Sequence, residues 1–191
     1  MRNVGVFMDR DGTISEEVGY VNHLSRFQIY PWSAPAIRTL NQEGLRTIVV
    51  TNQAGVARGY FSEDLVIQVH DKLRQHMALA GANLDAIYYC PHHPSVGPDP
   101  YRRECSCRKP KPGMLYRAVE ELDLDLSRSF VIGDRYGDME LAHNAGTHSI
   151  FVLSGYGLGE YEYQRHNWKV QPEWVAQNLL EATQIILNTL L

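Results

Sequence analysis

Two carboxylates spaced two residues apart, Asp9 and Asp11 in the run DRDGT at 9–13, are the first groups in this chain equipped for chemistry. They follow NVGVFM at 3–8, and Gly12 allows a turn that would bring both side chains to one cavity. Two close anions repel unless a cation joins them, and a hard, oxygen-seeking ion such as Mg²⁺ answers that best. Asp134 and Asp138, in GDRYGD at 133–138, supply further carboxylate. Read alone, the pair could equally be a solvated surface turn. A second constellation lies at Cys90, His92, Cys105 and Cys107. Three thiols and an imidazole are the set for a closed, tetrahedral Zn²⁺ site, with His93 as the rival ligand. The plain alternative is three buried free cysteines; an odd number of cysteines makes a disulfide framework the poorer reading.

These residues need elements to position them. NVGVFM at 3–8, RTIVVT at 46–51, LDAIYYC at 84–90, SFVIG at 129–133 and SIFVL at 149–153 read as buried strands. Between them the pattern predicts helices over 33–44, 62–80, 113–123 and 137–145. Near-continuous apolar strands alternating with helices predict one domain over 1–191: a Rossmann-like α/β fold, its parallel sheet covered by helices on both faces. Such sheets bind ligands beyond the carboxyl ends of their strands. Asp9 and Asp11 follow the first strand there, Thr51 and Asn52 end the second, and Asp134 follows the fourth. Lys109 lies in the long loop after the third. From Pro91 to Pro112 periodicity vanishes, and a structureless loop that long implies function or a bound ion. The Gly- and Tyr-rich stretch 154–171 reads as a flexible connection, and GYGLG at 155–159 resembles a phosphate loop only superficially. A last helix is predicted over about 173–189.

Composition narrows the classes. The chain has 191 residues, 44% hydrophobic and 21% charged, which excludes disorder, collagen-like repeats and coiled coil. Eighteen basic against 22 acidic side chains give −4, no global field for nucleic acid or anionic membrane. No apolar run approaches the ~18 residues of a membrane span, and the first residues hold no signal-peptide core. The expectation is a cytoplasmic protein, monomeric for want of an exposed apolar stripe, with no nucleic-acid or membrane partner.

DRDGT, VVTNQ at 49–53, Lys109 and GDRYGD together resemble the four motifs of the haloacid dehalogenase (HAD) superfamily of phosphotransferases. GYV at 19–21, TNQAGVARG at 51–59, YYCPHHP at 88–94, CSCRKPKPGML at 105–115 and VIGDRYGDM at 131–139 are similar to its subgroup of heptose bisphosphate and histidinol-phosphate phosphatases. The resemblance covers residues 4 to about 153. It implies that Asp9 attacks phosphorus to form an aspartyl-phosphate, and that Asp11 protonates the leaving oxygen and then activates water. It further implies Mg²⁺ on Asp9, Asp134 and the Asp11 main-chain carbonyl, Thr51 and Lys109 on the phosphoryl oxygens, and Asp138 orienting Lys109 or a metal-bound water rather than ligating directly. A structural Zn²⁺ on Cys90, His92, Cys105 and Cys107 is implied too, the family register favouring His92. Pinning that loop would place Arg108 and Lys109 over the phosphate.

Between Asp11 and Thr51 stand 39 residues, and between Asn52 and Lys109 there are 56, all taken by the elements above. No room remains for a cap domain, so loops must shape the pocket. The implied substrate contacts are Arg10, Glu17, Val18, Gly19, Tyr20, Asn52, Gln53, Ala54, Arg58, Arg108 and Arg135. The substrate implied is a small sugar phosphate, first the 7-phosphate of a heptose 1,7-bisphosphate, with histidinol phosphate second. A zinc-stabilised binding protein on the same fold is the non-enzyme alternative.

Overall fold

In the computed structural model, which describes residues 2–190, six parallel strands form one sheet in the order β3-β2-β1-β4-β5-β6. In chain order the elements are β1 (Gly5–Met8), α1 (Ser33–Gln42), β2 (Arg46–Asn52), α2 (Glu63–Leu79), β3 (Ala86–Cys90) and α3 (Gly113–Leu122). They continue with β4 (Phe130–Gly133), α4 (Tyr136–Ala145), β5 (His148–Val152), α5 (Gly157–Gln164), β6 (Trp174–Ala176) and α6 (Leu179–Leu190). The strands are apolar on both faces because both are covered. Val6, Met8, Val49, Ile132, Ile150 and Val152 pack toward α1, α2 and α6. Their neighbours Phe7, Ile48, Val50 and Val131 point the other way, onto Met114, Leu115 and Ala118 of α3 and Leu141 of α4. This period of two is the pleat itself.

Strand order reverses between β1 and β4, whose partners run Val6 to Phe130 and Met8 to Ile132. A crevice opens at such a reversal, beyond the carboxyl ends. Asp9 leaves β1 and Asp134 leaves β4 at that point, and the Asp9 N–H still donates to the Ile132 carbonyl (2.9 Å). No cap domain interrupts the elements between β1 and β4.

Two sequence-based expectations are corrected. The stretch 154–171 contains α5 and a short 3-10 turn over Arg165–Asn167, not a flexible connection. Three glycines in 155–159 lower helix propensity and concealed it; packing overrides this, with Tyr161 stacked 5.9 Å from Phe151 and Trp168 edge-on to Phe151 at 5.0 Å. The helix predicted over 173–189 begins later, because Trp174–Ala176 pairs with Ile150–Val152 as a sixth strand. Asn178 caps the true start, its Oδ1 accepting from the N–H of Leu180 (3.0 Å).

Candidate active site and metal-ligating loop

Beyond the β1/β4 reversal lies a cavity of about 300 Å³. Asp9, Asp11, Glu17, Gly19, Tyr20, Thr51, Asn52, Gln53, Ala54, Lys109, Arg135 and Asp138 line it, joined by Val21, Gly55 and Gly137, which sequence reasoning had not singled out. At its floor a buried ammonium meets buried carboxylates. Lys109 Nζ donates to Asp138 Oδ1 (2.7 Å) and the Val50 carbonyl (3.0 Å), and pairs with Asp9 Oδ1 at 2.9 Å. Those three partners use all three ammonium donors. Burial alone would depress the lysine, but the carboxylates of Asp138 and Asp9 more than offset it and hold its pKa above the usual range. Asn52 fixes the main chain of the same residue: its Oδ1 accepts from the Lys109 N–H (3.0 Å) and its Nδ2 donates to the Lys109 carbonyl (3.2 Å).

The charges do not balance. Carboxylate oxygens of Asp9, Asp134 and Asp138 lie within 4.8 Å of one another, against the one ammonium. Burial pushes the Asp9 pKa up to about 7 despite Lys109, and burial with the Asp9 charge raises Asp134 well above the carboxylate range. Asp134 Oδ2 accepts from the Tyr156 N–H (2.8 Å), whereas its buried Oδ1 has no partner. An oxygen-rich, buried, under-neutralised cluster with an orphaned carboxylate oxygen fits a hard divalent cation.

Asp11 stands in a different field. Arg10 grips it with Nε to Oδ1 (3.0 Å) and Nη2 to Oδ2 (2.8 Å), and Ser15 and Gln53 add one bond each. Burial would raise its pKa, but the Arg10 charge and these bonds win, and the carboxyl sits below its ordinary value. Gln53 Nε2 also donates to Thr51 Oγ1 (2.9 Å), tying the acid to the threonine. Behind Arg10, its Nη1 meets His70 Nε2 at 3.1 Å. Guanidinium only donates, so His70 must accept there and be neutral; burial and the Arg10 charge push its pKa down to about 3.

The turn after β5 closes the back of the cluster. Ser154 Oγ donates to the Gly12 carbonyl (2.6 Å), and Gly155, at φ +59, presses on both Asp134 and Gly12. A Cβ at Gly155 would overlap the Asp134 carboxylate and lie 2.5 Å from Gly12 Cα. The sequence pattern reads this turn only as part of the flexible connection over 154–171, although the sheet-order rule that points to Asp9 and Asp134 also points to residues just beyond β5.

Four of the expected contacts do not reach the cavity. Arg10 is buried with its guanidinium committed to Asp11 and His70, so it acts through Asp11. Val18 packs against the hydrophobic core instead. Arg58 Nη2 meets His93 Nε2 (3.1 Å), and Arg108 Nη1 donates to the His92 carbonyl (3.2 Å); neither lines the cavity.

The loop after β3 has no long element, yet it is tied down. Cys90, His92, Cys105 and Cys107 converge, with Sγ–Sγ separations of 3.5 Å (Cys90–Cys105) and 3.3 Å (Cys105–Cys107). His92 Nδ1 lies 3.7 Å from Cys90 Sγ and 3.4 Å from Cys107 Sγ. Ligands ~2.3 Å from a tetrahedral centre lie ~3.8 Å apart, so four edges of 3.3–3.7 Å fit a bound metal ion. All three cysteines are free. Sharing of protons among the thiols, first from Cys90, holds Cys107 down at about 5, and the same sharing together with burial pushes Cys90 far up. The rival His93 bonds Arg58 instead. A second anchor is Glu63 at the start of α2, whose carboxylate accepts from Tyr89 and Tyr101 hydroxyls, both at 2.8 Å.

A parallel sheet in this order, with Asp-x-Asp after β1, a hydroxyl at the end of β2, a lysine before α3 and a carboxylate pair after β4, defines a HAD-type hydrolase. A family model described as HAD-hydrolase-like matches residues 106–182. D-glycero-β-D-manno-heptose-1,7-bisphosphate 7-phosphatase of Pasteurella multocida is 38% identical over 182 residues, 95% of each chain. D-glycero-D-manno-heptose-1,7-bisphosphate 7-phosphatase of Thermosynechococcus vestitus is 41% identical over 100% of this chain and 98% of its own. The crystal structure of D,D-heptose 1,7-bisphosphate phosphatase from B. bronchiseptica, complexed with magnesium and phosphate, superposes with a TM-score of 0.84. It is 30% identical, over 97% of this chain and 99% of that one. The chain belongs to the heptose 1,7-bisphosphate 7-phosphatase family of HAD-like hydrolases.

Proposed function

We propose that this protein is a Mg²⁺-dependent phosphoric monoester hydrolase that removes the 7-phosphate of D-glycero-D-manno-heptose 1,7-bisphosphate. The observation that carries the reading is the buried cluster of Asp9, Asp134 and Asp138 around Lys109, in a chain similar over nearly its whole length to heptose bisphosphate phosphatases. Asp9, Asp134 and the Asp11 carbonyl would hold Mg²⁺. When bound, the ion supplies the positive charge that lets a carboxylate approach an anionic phosphate.

The remaining steps belong to this chain's own residues. Asp9 attacks phosphorus in line; the P–O bond to the sugar breaks as the bond from Asp9 forms, leaving an aspartyl-phosphate. Thr51 would face the phosphoryl oxygens, and Lys109 would exchange its contact with Asp9 for one of them as Asp9 turns to phosphorus; because Lys109 stays held by Asp138 and Asn52 it loses little order on binding. Asp11 begins as a carboxylate under Arg10. A phosphate dianion arriving beside it raises its proton affinity, so Asp11 takes up one proton from solvent as substrate binds and gives it to the departing sugar oxygen. Asp11, again a carboxylate, then takes a proton from the water that cleaves the aspartyl-phosphate. Gln53 keeps its orientation by bridging it to Thr51.

We assign Zn²⁺ to Cys90, His92, Cys105 and Cys107 as a structural ion, since four protein ligands leave no open position. Cys107 is two residues before Lys109, so the ion fixes the loop that delivers the lysine. Free thiols at these positions suit a reducing compartment, and we place the enzyme in the cytoplasm as a monomer of one domain. Among the described residues no helix is long and apolar enough to cross a membrane.

The test is steady-state kinetics on both anomers of heptose 1,7-bisphosphate, on histidinol phosphate and on simple sugar phosphates. A preference of ~100-fold in kcat/KM for a heptose bisphosphate, ~2.7 kcal/mol of differential transition-state binding, is expected. Equal or faster turnover of histidinol phosphate would refute the substrate assignment.

A further inference from the structure

The cavity is lined by two cations, and only one has donors left unbonded before substrate enters. Lys109 has all three ammonium donors committed at the floor. Arg135 stands at the mouth, its side chain about half exposed, on the rim shared with Glu17 and Tyr20. Its guanidinium is not loose. Nε pairs with Glu160 Oε1 at 2.6 Å, and the guanidinium lies 4.4 Å above the Tyr156 ring. The other carboxylate oxygen of Glu160 accepts from the Tyr136 N–H (2.8 Å), so one acidic side chain on α5 joins the first turn of α4 to the arginine. Glu160 itself is largely buried, whereas Nη1 and Nη2 of Arg135 make no hydrogen bond among the described residues. A guanidinium gripped along one edge and stacked on one face, with its terminal nitrogens unused, is oriented to present them elsewhere.

We propose that Glu160 is a positioning residue: through Arg135 it presents a guanidinium edge at the cavity mouth to a second anionic group of the substrate, remote from the reacting phosphate. This rests on the bisphosphatase reading and adds to it a residue of α5, outside every family motif in the chain. The chemistry favours it on three grounds. A capless site has little else at its mouth to select a bisphosphate from a monophosphate. Arg135 is the only lining cation with free donors among the described residues. Without Glu160 the arginine would have to be ordered by the substrate itself, and that cost falls on binding rather than on the bond-breaking step.

The test is a double-mutant cycle of Glu160→Gln and Arg135→Ala, read as KM and kcat separately, with thermal melts to confirm folding. Glu160→Gln should raise KM for the heptose bisphosphate about fivefold to tenfold with kcat within about twofold. In the Arg135→Ala background the same change should add nothing further. On p-nitrophenyl phosphate, which has no second anionic group, KM should not follow. An effect of Glu160→Gln that persists without Arg135, or a kcat loss equal on both substrates, would overturn the proposal; Glu160→Asp, which keeps the charge but shortens the reach, should fall between. Should heptose bisphosphate fail while another sugar bisphosphate binds, the substrate assignment falls and the cycle on that ester still decides Glu160. Should no bisphosphate be hydrolysed or compete with p-nitrophenyl phosphate, both readings fall.

Discussion

Gly155→Ala is the smallest change that should reach the carboxylate cluster proposed to hold Mg²⁺ without touching a reacting group. Gly155 lies in the left-handed region at φ +59, and a Cβ there would meet Gly12 Cα at 2.5 Å and overlap the Asp134 carboxylate. Carbon contacts are comfortable at ~3.5–4 Å. The Gly12 atom is backbone, so it cannot rotate away; one of the two turns must shift, and Asp134 with it. The left-handed conformation costs alanine about 1 kcal/mol, and overpacking of this kind adds about 1–3 kcal/mol. Together that lowers the melting temperature by ~5–15 °C in a chain of this size. With Asp134 as the proposed Mg²⁺ ligand, disturbing the turn that orients it should weaken metal affinity by roughly 10–100-fold. The assay is thermal melting beside Mg²⁺ titration of activity, with Gly44→Ala as control. Gly44 shares the left-handed backbone, at φ +72, but a Cβ there meets nothing within 4 Å. The control should therefore lose only ~1 kcal/mol and keep its Mg²⁺ dependence. If Gly155→Ala matches Gly44→Ala in both melting temperature and Mg²⁺ half-saturation, the turn after β5 does not position Asp134.

Other outcomes follow from the same geometry. Cys105→Ser/Cys107→Ser should lose its metal by elemental analysis and drop kcat by about 10²-fold in saturating Mg²⁺, because Lys109 is then delivered by an unpinned loop; full turnover by that metal-free protein would sink the link between loop and lysine. His70 is neutral in the fold, with its pKa near 3 against 6.5 when exposed. Below pH 6.5 the unfolded chain binds the extra proton, so this contribution to stability is complete above pH 6.5 and is lost as pH falls. Between pH 6.5 and 5 the loss is ~2 kcal/mol. His70→Gln, which can still accept from Arg10, should flatten the stability–pH profile over that window, and parallel profiles for the two proteins would contradict the assignment.

How much of this was legible in the chain depends on the range of the forces involved. Apolar runs ending in polar residues located β1 to β5, and the sheet rule then gathered Asp9, Asp11, Thr51, Lys109 and Asp134 without any structure. The cysteine loop was legible as a cluster because three thiols and an imidazole fall within 18 residues, and the family resemblance singled out the four that converge. The tail was not, since α5 forms through packing of Tyr161 on Phe151 and Trp168, against the propensity of its glycines. Nor did the sequence separate residues that face the cavity from those that support it. Arg10 and Asn52 look like substrate contacts by position, but Arg10 is consumed by Asp11, and Asn52 binds the Lys109 main chain from the cavity wall. Which way a polar side chain turns is decided by partners 40 to 60 residues distant, such as His70 for Arg10 and Lys109 for Asn52.

The central claim is that Asp9 becomes phosphorylated and Asp11 releases it. Asp11→Asn removes the base for the second half-reaction, while p-nitrophenyl phosphate has a leaving group that needs no acid. Rapid mixing of the two should give a burst of one nitrophenolate per active site followed by slow turnover. Acid quenching and peptide mass analysis should then place one phosphoryl group on Asp9, and none in Asp9→Asn. A linear time course with an unmodified Asp9 peptide would contradict the mechanism.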